Sequence, residues 1–333
     1  MTPPLRPAAI ALGLLGTVLA SPAFGVPDYG VEWGTIGDAG NPPYFRDSND
    51  DGYVGSVGYS YRMSRTELTW SQYAEFVQAY RPYWNSNPNT FALTGGILST
   101  SDGGQTYQVA PGWEHVAAEP GWAFAAMYAN WLQNDKGSNA DAFTHGAYDT
   151  SDWVWDSSHP GRVLSGTFER SPGAEYWIPN DDEWIKAAYY DPNRYGDDQP
   201  GYWLNPAQSD DWIPASQTSS AMNNYPPLPV GSFPDTQSPW GLLDLSGGVE
   251  EWVENSFATS TSITFFGTRG SAAGDHTWQY NDNINSALRR NLSMTGLGIG
   301  LHLASAIPSP STATCVILAT LAICIRRRKG NAI

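Results

Sequence analysis

The residues with the clearest chemical potential lie in one acidic, glycine-rich stretch, residues 239–253. Asp244 comes just before a Ser-Gly-Gly turn, and Glu251 follows that turn. Gly247 and Gly248 permit backbone angles that residues with a side chain avoid, so the chain can fold back and bring both carboxylates toward one point. Calcium prefers oxygen ligands of this kind. The stretch therefore predicts either a calcium site or a tight turn with two solvated carboxylates.

A second acidic segment, residues 47–52, has the opening pattern of a calcium-binding loop. Asp47, Asn49 and Asp51 alternate and a glycine follows, as in the first half of an EF-hand loop. The twelfth position of such a loop needs a glutamate, and here it is Gly58. The segment is therefore a possible second calcium loop, with an ordinary acidic turn as the alternative.

Histidine and serine patterns give little support for catalysis. The five histidines form no i, i+4 pair and no His-Glu-x-x-His motif; they are His115, His145, His159, His276 and His302. His276 follows Asp275 directly, which permits a metal or acid–base role or a simple hydrogen-bonded surface pair. The sequence has no Gly-x-Ser-x-Gly nucleophile elbow and no phosphate-binding loop.

The overall composition limits the kind of partner. The chain has 333 residues, a formal net charge of −16, 13% aromatic residues, 34 glycines and 25 prolines. So acidic a protein is poorly suited to bind a nucleic-acid backbone. The glycines and prolines favour a loop-rich fold with many turns.

Both ends of the sequence indicate export to the cell envelope or the extracellular surface. Residues 1–25 have the charged, apolar and small-residue regions of a signal peptide. Residues 306–333 contain an apolar run shorter than the roughly 20 residues of a membrane span, and then a basic cluster. This tail resembles the PEP-CTERM sorting signal of exported bacterial proteins, which implies contact with sorting machinery; a short membrane anchor is the alternative. Both cysteines, Cys315 and Cys324, lie in this tail.

Three helices can be placed between those ends. Thr69 and Gln72 form a capping box before apolar residues at helical spacing. A second helix follows Pro120. Asn180 is placed to cap a third, and the acidic residues that follow it suit the positive first turn of a helix.

Several of these segments together resemble the formylglycine-generating enzyme (sulfatase-modifying factor) family. The first stretch is similar to that family's Gly-Leu-Tyr-Asp-Met-x-Gly-Asn-Val-Trp-Glu-Trp signature, and the matching residues are Gly241, Leu242, Asp244, Gly247, Val249, Glu251 and Trp252. The three helix segments and the end of the domain resemble further family motifs in the same order. The resemblance runs from about Val31 to Ser305, within the predicted domain of residues 26–305.

The resemblance implies a fold and a metal site. The expected fold is α+β, related to C-type lectins, loop-rich, with small twisted sheets and about three helices. The implied calcium ligands are side-chain oxygens of Asp244 and Glu251 and backbone carbonyls of Gly247 and Val249.

The resemblance also implies that the family's oxidation chemistry is lost. Catalytic members hold copper with two cysteines, and an ungapped count places Asp275 and Tyr280 there in this chain. Without thiolates, Cu(I) has no suitable ligands, so no copper is expected.

The resulting hypothesis is an exported, non-catalytic protein that binds a glycan or a peptide in the cleft of the former active site. The residues expected to line that cleft are Trp240, Glu250, Asp275, His276, Tyr280 and His302. The alternatives are an enzyme with an altered, metal-assisted reaction and a structural envelope protein.

Overall fold

The computed structural model describes residues 26–46, 52–84, 97–102, 106–158, 162–211, 228–258, 264–271, 283–286, 289–291 and 298–308. Residues 28–307 form one compact unit, and residues 1–27 and 308–333 form the other, which lies almost wholly outside the described residues. The signal peptide and the sorting tail therefore remain predictions. A search of the described ranges finds no helix that is both long and apolar enough to cross a membrane.

Two of the predicted helices begin where their caps were expected. Helix α1 (Trp70–Tyr80) starts after a capping box in which Thr69 and Gln72 exchange hydrogen bonds. Helix α4 (Asp181–Tyr189) starts after the equivalent pair, Asn180 and Glu183. In each helix the capping side chains bond backbone N–H groups that have no partner within the helix. Both predictions are confirmed.

The second predicted helix lies in the centre of the core. Helix α2 (Trp122–Gln133) buries all of its residues except the last. The fourth α-helix among the described residues, α3 (Asp141–Thr144), was not one of the three predicted helices.

The first sheet joins the two ends of the compact unit. Its order is β1–β4–β16–β9 and every pairing is antiparallel. The strands are β1 (Trp33–Ile36), β4 (Tyr61–Ser64), β9 (Tyr176–Trp177) and β16 (Ala304–Ser305). Strand β16, the last of the described strands, thus lies between two earlier ones.

The second sheet carries the acidic stretch at the start of its longest strand. Its order is β14–β13–β12–β15, with only β12 and β15 parallel. The strands are β12 (Glu250–Ala258), β13 (Thr264–Arg269), β14 (Arg289–Asn291) and β15 (Ile299–Gly300).

Short strand pairs complete the described architecture. They are β2 (Tyr44–Phe45) with β3 (Tyr53–Val54), β5 (Leu98–Ser99) with β6 (Gln108–Val109), β7 (Val154–Trp155) with β8 (Val163–Ser165), and β10 (Tyr190–Asp191) with β11 (Gly201–Tyr202). The fold is the expected loop-rich α+β arrangement, consistent with the C-type-lectin-like fold.

Tryptophan side chains attach helix α2 to the strand that positions the acidic stretch. Trp122 stacks on Phe266 with ring centroids 3.9 Å apart, and its indole N–H donates to the Val253 carbonyl. The indole N–H of Trp252, on β12, donates to the carbonyl of Pro120, just before helix α2, at 2.8 Å. These contacts hold the start of β12 against the core.

Candidate calcium corner and adjoining cavity

The stretch from Pro239 to Glu251, here called the acidic corner, folds back on itself as its glycines predicted. Gly247 and Gly248 have φ of 78° and 72°, in the left-handed region that favours glycine. Asp244 also has a positive φ, 61°. Asparagine and aspartate adopt this conformation more readily than most residues. The backbone angles therefore agree with the predicted turn.

Asp244 is buried, with one carboxylate oxygen free. The residue before it, Leu243, donates its backbone N–H to the carbonyl of Arg65. Its Oδ2 accepts a 2.6 Å hydrogen bond from Gly231 N–H, whereas the buried Oδ1 has no hydrogen-bond partner. Burial raises the pKa of Asp244 to about 6, and the bond from Gly231 opposes that rise.

Glu251 is fully buried and lies beside His302. Its Oε1 is 3.8 Å from His302 Nδ1, and the other ring nitrogen, Nε2, is 3.0 Å from the Leu243 carbonyl. Burial lowers the pKa of His302 to about 4, so the ring is neutral near pH 7 and does not balance the glutamate's charge. Gly270 has a φ of 72°, in the left-handed region that favours glycine, and a Cβ atom there would crowd Glu251 Oε2.

The donors in the corner suit a hard cation. Asp244 offers a buried carboxylate oxygen without a partner, and buried polar atoms of this kind are rare unless water or an ion satisfies them. Within the described residues, no group of three or more His, Cys, Asp or Glu side chains is arranged to hold a metal. The expected calcium site has only two side-chain ligands, because the other two ligands are the backbone carbonyls of Gly247 and Val249. A search for groups of three side chains therefore does not test it. The four-residue calcium site remains a prediction.

Three of the residues predicted to line a ligand cleft, Trp240, Glu250 and His302, lie within the described part of the chain. Trp240 stacks against Tyr190, with ring centroids 6.5 Å apart. Glu250 accepts a 2.6 Å hydrogen bond from the Thr268 hydroxyl. His302 is a core residue with no exposed surface. Asp275, His276 and Tyr280 lie outside the described residues, as do Asp47, Asn49 and Asp51 of the second acidic loop.

A cavity that the sequence did not predict lies between β4 and α1, and is called the β4–α1 cavity below. Its volume is about 410 Å³, within the usual range for small-molecule sites. Its polar lining residues are Glu32, Ser64, Arg65, Thr66, Glu67, Thr69, Gln72 and Tyr128. Apolar residues from two later segments, including Leu243 and Leu303, complete the lining.

The acidic residues at the start of α4 have structural partners. Asp181 pairs with Arg269, and Asp182 accepts a hydrogen bond from Gly55 N–H. Glu183 bonds the backbone of Asn180 and the guanidinium of Arg170. Of the three, Glu183 caps the helix, whereas Asp181 and Asp182 contact residues outside it.

Taken together, the sheets, helices and acidic corner define a loop-rich α+β domain of the formylglycine-generating enzyme type. The family profile described as the sulfatase-modifying factor enzyme 1-like domain matches residues 55–305. The chain belongs to this family. A comparison with curated protein sequences gave no match.

The chain is also similar to solved structures at low sequence identity. The crystal structure of CarF is 18% identical with a TM-score of 0.50, and the alignment covers 84% of this chain and 99% of CarF. Treponema denticola variable protein 1 is 16% identical, with a TM-score of 0.47 and coverage of 82% and 94%. PvdO from Pseudomonas aeruginosa is 16% identical, with a TM-score of 0.46 and coverage of 86% and 100%. At 18% identity, the likeness to CarF supports the fold and nothing about activity.

Proposed function

We propose that this protein is an exported member of the family that binds a saccharide, is stabilised by calcium, and does not oxidise cysteine. The observation that carries the proposal is that residues 55–305, the whole matched domain, contain no cysteine. Both cysteines of the chain lie beyond it, at Cys315 and Cys324.

The missing cysteines argue against the family's copper chemistry. The strand that precedes them in catalytic members corresponds to Arg269, Gly270 and Ser271, and the next residue is Ala272. Soft thiolate ligands select Cu(I), whereas an aspartate and a tyrosine at the equivalent positions, Asp275 and Tyr280, supply only oxygen. The protein would therefore keep the family scaffold without its oxidase centre.

The β4–α1 cavity is the ligand site that the described residues support best. Its polar groups include a guanidinium, carboxylates, hydroxyls and an amide, which together can donate to and accept from the hydroxyl groups of a sugar. Arg65 Nη1 lies 3.7 Å from Glu32 Oε2, so positive charge offsets part of the acidic lining. That balance favours a neutral, hydroxyl-rich ligand over a basic peptide.

The test is a binding screen with the purified full chain. Neutral oligosaccharides, acidic oligosaccharides and lysine-rich peptides would be compared on one array, with hits measured by calorimetry. Saturable binding of a neutral saccharide is the expected result. Binding of basic peptides alone would replace the saccharide proposal with the peptide alternative. Stoichiometric transition metal in the purified protein would instead favour the metal-assisted enzyme.

Export has its own test. Mass spectrometry of the protein from its native cells should find an amino terminus at residue 26 and a chain shortened near residue 306. Intact ends in a cytoplasmic fraction would contradict this part of the proposal.

A further inference from the structure

The side-chain amide of Gln72 offers fixed N–H donors at the β4–α1 cavity. Gln72 lines the cavity, and its Oε1 accepts hydrogen bonds from the Thr69 N–H at 2.9 Å and from the Thr69 hydroxyl at 3.1 Å. Only the oxygen of an amide can accept, so these two bonds determine which way the amide points. The side-chain hydrogen bonds of Gln72 to other described residues all use Oε1, so the two N–H donors of Nε2 are available to a ligand.

Tyr128, on helix α2, brings a hydroxyl group to the same cavity. It lines the cavity and is only 2% exposed. The contacts observed for its side chain among the described residues are ring packing against Phe76 and Trp131, at centroid separations of 5.7 and 6.1 Å, with no hydrogen bond to its hydroxyl. Burial, and then the carboxylate of Glu75, raise the pKa of Tyr128, so the hydroxyl keeps its proton at neutral pH. A buried tyrosine hydroxyl usually has a hydrogen-bond partner, and a ligand in the cavity would supply one.

Helix α1 brings these two polar groups to the same part of the cavity. Gln72 and Phe76 are four residues apart on α1, so they lie on one face of the helix. The side chain of Phe76 covers the turn before it, which is the turn of Gln72. The ring of Tyr128 packs edge-on against Phe76. One small ligand can therefore contact both Gln72 and Tyr128.

The rest of the cavity includes an apolar wall. Its members are aliphatic side chains and one proline from four segments of the chain: Val31, Leu68, Val230, Pro234, Leu243 and Leu303. A sugar that carries only hydroxyl groups would lose hydration against this wall without gaining hydrogen bonds there. A methyl group would instead gain from burial against the same residues. The cavity therefore favours a ligand that combines a polar group with a methyl group.

We propose that the β4–α1 cavity recognises the acetamido group of an N-acetylated amino sugar. Gln72 Nε2 donates to the carbonyl oxygen of that group, and the hydroxyl of Tyr128 accepts from its N–H. The methyl group packs against the apolar wall. The acetamido group is uncharged, which agrees with the partial charge balance between Arg65 and Glu32. This inference rests on the proposed function, saccharide binding in this cavity, and names the class of saccharide.

The experiment compares three sugar trimers that share one backbone, measured by calorimetry with the full chain. They are the trimer of N-acetylglucosamine, the trimer of glucose with the same linkage, and the trimer of glucosamine, which carries free amines. The acetylated trimer should bind about tenfold or more tightly than the glucose trimer, since it adds a buried methyl group and a hydrogen-bonded amide. Tightest binding of the glucosamine trimer would mean that the acidic residues recognise an amine, and would overturn the inference.

Two variants test the assigned contacts. Gln72→Glu keeps an oxygen for the capping box with Thr69 but replaces the N–H donors, so affinity for the acetylated trimer should fall about tenfold. Tyr128→Phe removes only the hydroxyl, and affinity should fall about threefold or more. Tyr73→Phe is the matched control, because Tyr73 is also buried but does not line the cavity. Its affinity should stay within about twofold of the natural protein's. Melting curves show which variants are folded.

The outcomes separate this inference from the proposed function. If no saccharide binds the natural protein, the proposed function is wrong and this inference with it. If the glucose trimer binds as tightly as the acetylated trimer, saccharide binding stands and only the acetamido inference is refuted. Preference for the acetylated trimer that survives in both Gln72→Glu and Tyr128→Phe would also refute it, because the group would then be held elsewhere. If one variant fails to fold, the other variant and the comparison of trimers decide.

Discussion

The guanidinium of Arg269 forms a bidentate ion pair with the carboxylate of Asp181. Its Nη2 lies 2.7 Å from Asp181 Oδ2, its Nε bonds Oδ1, and Nη1 donates to the Ser286 carbonyl. Arg269 ends strand β13, and Asp181 is the first residue of helix α4. The pair therefore joins the end of strand β13 to the start of helix α4.

Removing one charge of this pair should destabilise the folded protein. Asp181→Asn would leave the buried Arg269 guanidinium short of its counter-charge, and we expect a loss of about 3 kcal/mol in the free energy of unfolding. Urea unfolding at neutral pH measures this loss. The control is Asp197→Asn at an exposed position. A loss no larger than the control's would mean that the pair does not stabilise the fold.

The stack between Trp122 and Phe266 should be the most sensitive point of the aromatic core. Trp122 has no exposed surface, so Trp122→Ala would leave a large cavity and should cost about 3–5 kcal/mol. Tyr195→Ala, at a side chain that is 64% exposed, should change stability by about 0.5 kcal/mol or less. Equal effects in the two variants would contradict the described packing around helix α2.

Glu254 should make stability depend on pH. Burial raises its pKa to about 7 from 4.5, whereas Arg170 opposes the rise. Because the folded state holds this proton more tightly than the unfolded state, the contribution of Glu254 is fully present below pH 4.5. It is lost as the pH rises through 7.

The comparison of the natural protein with Glu254→Gln isolates that contribution. Between pH 4.5 and 7 the natural protein should lose stability relative to the variant as the pH rises. His302, whose lowered pKa acts in the opposite direction, is present in both proteins and cancels. Thermal melts across this range in the presence of a chelator provide the measurement. Parallel curves would show that Glu254 is not buried as described.

Filling the β4–α1 cavity should abolish saccharide binding without unfolding the protein. Thr66 lines the cavity and is only half-buried, so Thr66→Trp can place its ring in the cavity. Ser99→Trp, at an exposed position on β5, is the matched control. Calorimetry with the saccharide that binds the natural protein most tightly should show binding to the control variant and none to Thr66→Trp. Equal binding by both variants would mean that the ligand site lies elsewhere.

The sequence predicted best what is encoded locally. The caps at Thr69 and Asn180 depend on residues three apart, so both helix starts could be placed. The turn at Gly247 and Gly248 could be expected for the same reason. Helix α3, only four residues long, has too few residues for a periodic pattern.

The remaining features depend on contacts between distant parts of the chain. Strand β16 has two residues and exists because Ala304 pairs with Met63 and with Trp177. The β4–α1 cavity combines residues as far apart as Gly30 and Leu303.

The most direct test of the account is an oxidation assay on the purified full chain. The protein would be incubated with copper, oxygen and a cysteine-bearing sulfatase-type peptide, and the mass of the peptide followed. Calcium-dependent melting of the same sample would show that the protein is folded. The account predicts an unchanged peptide mass, because the family domain contains no cysteine. Conversion of the peptide's cysteine to an aldehyde would contradict it and show that the family's chemistry proceeds without the two thiols.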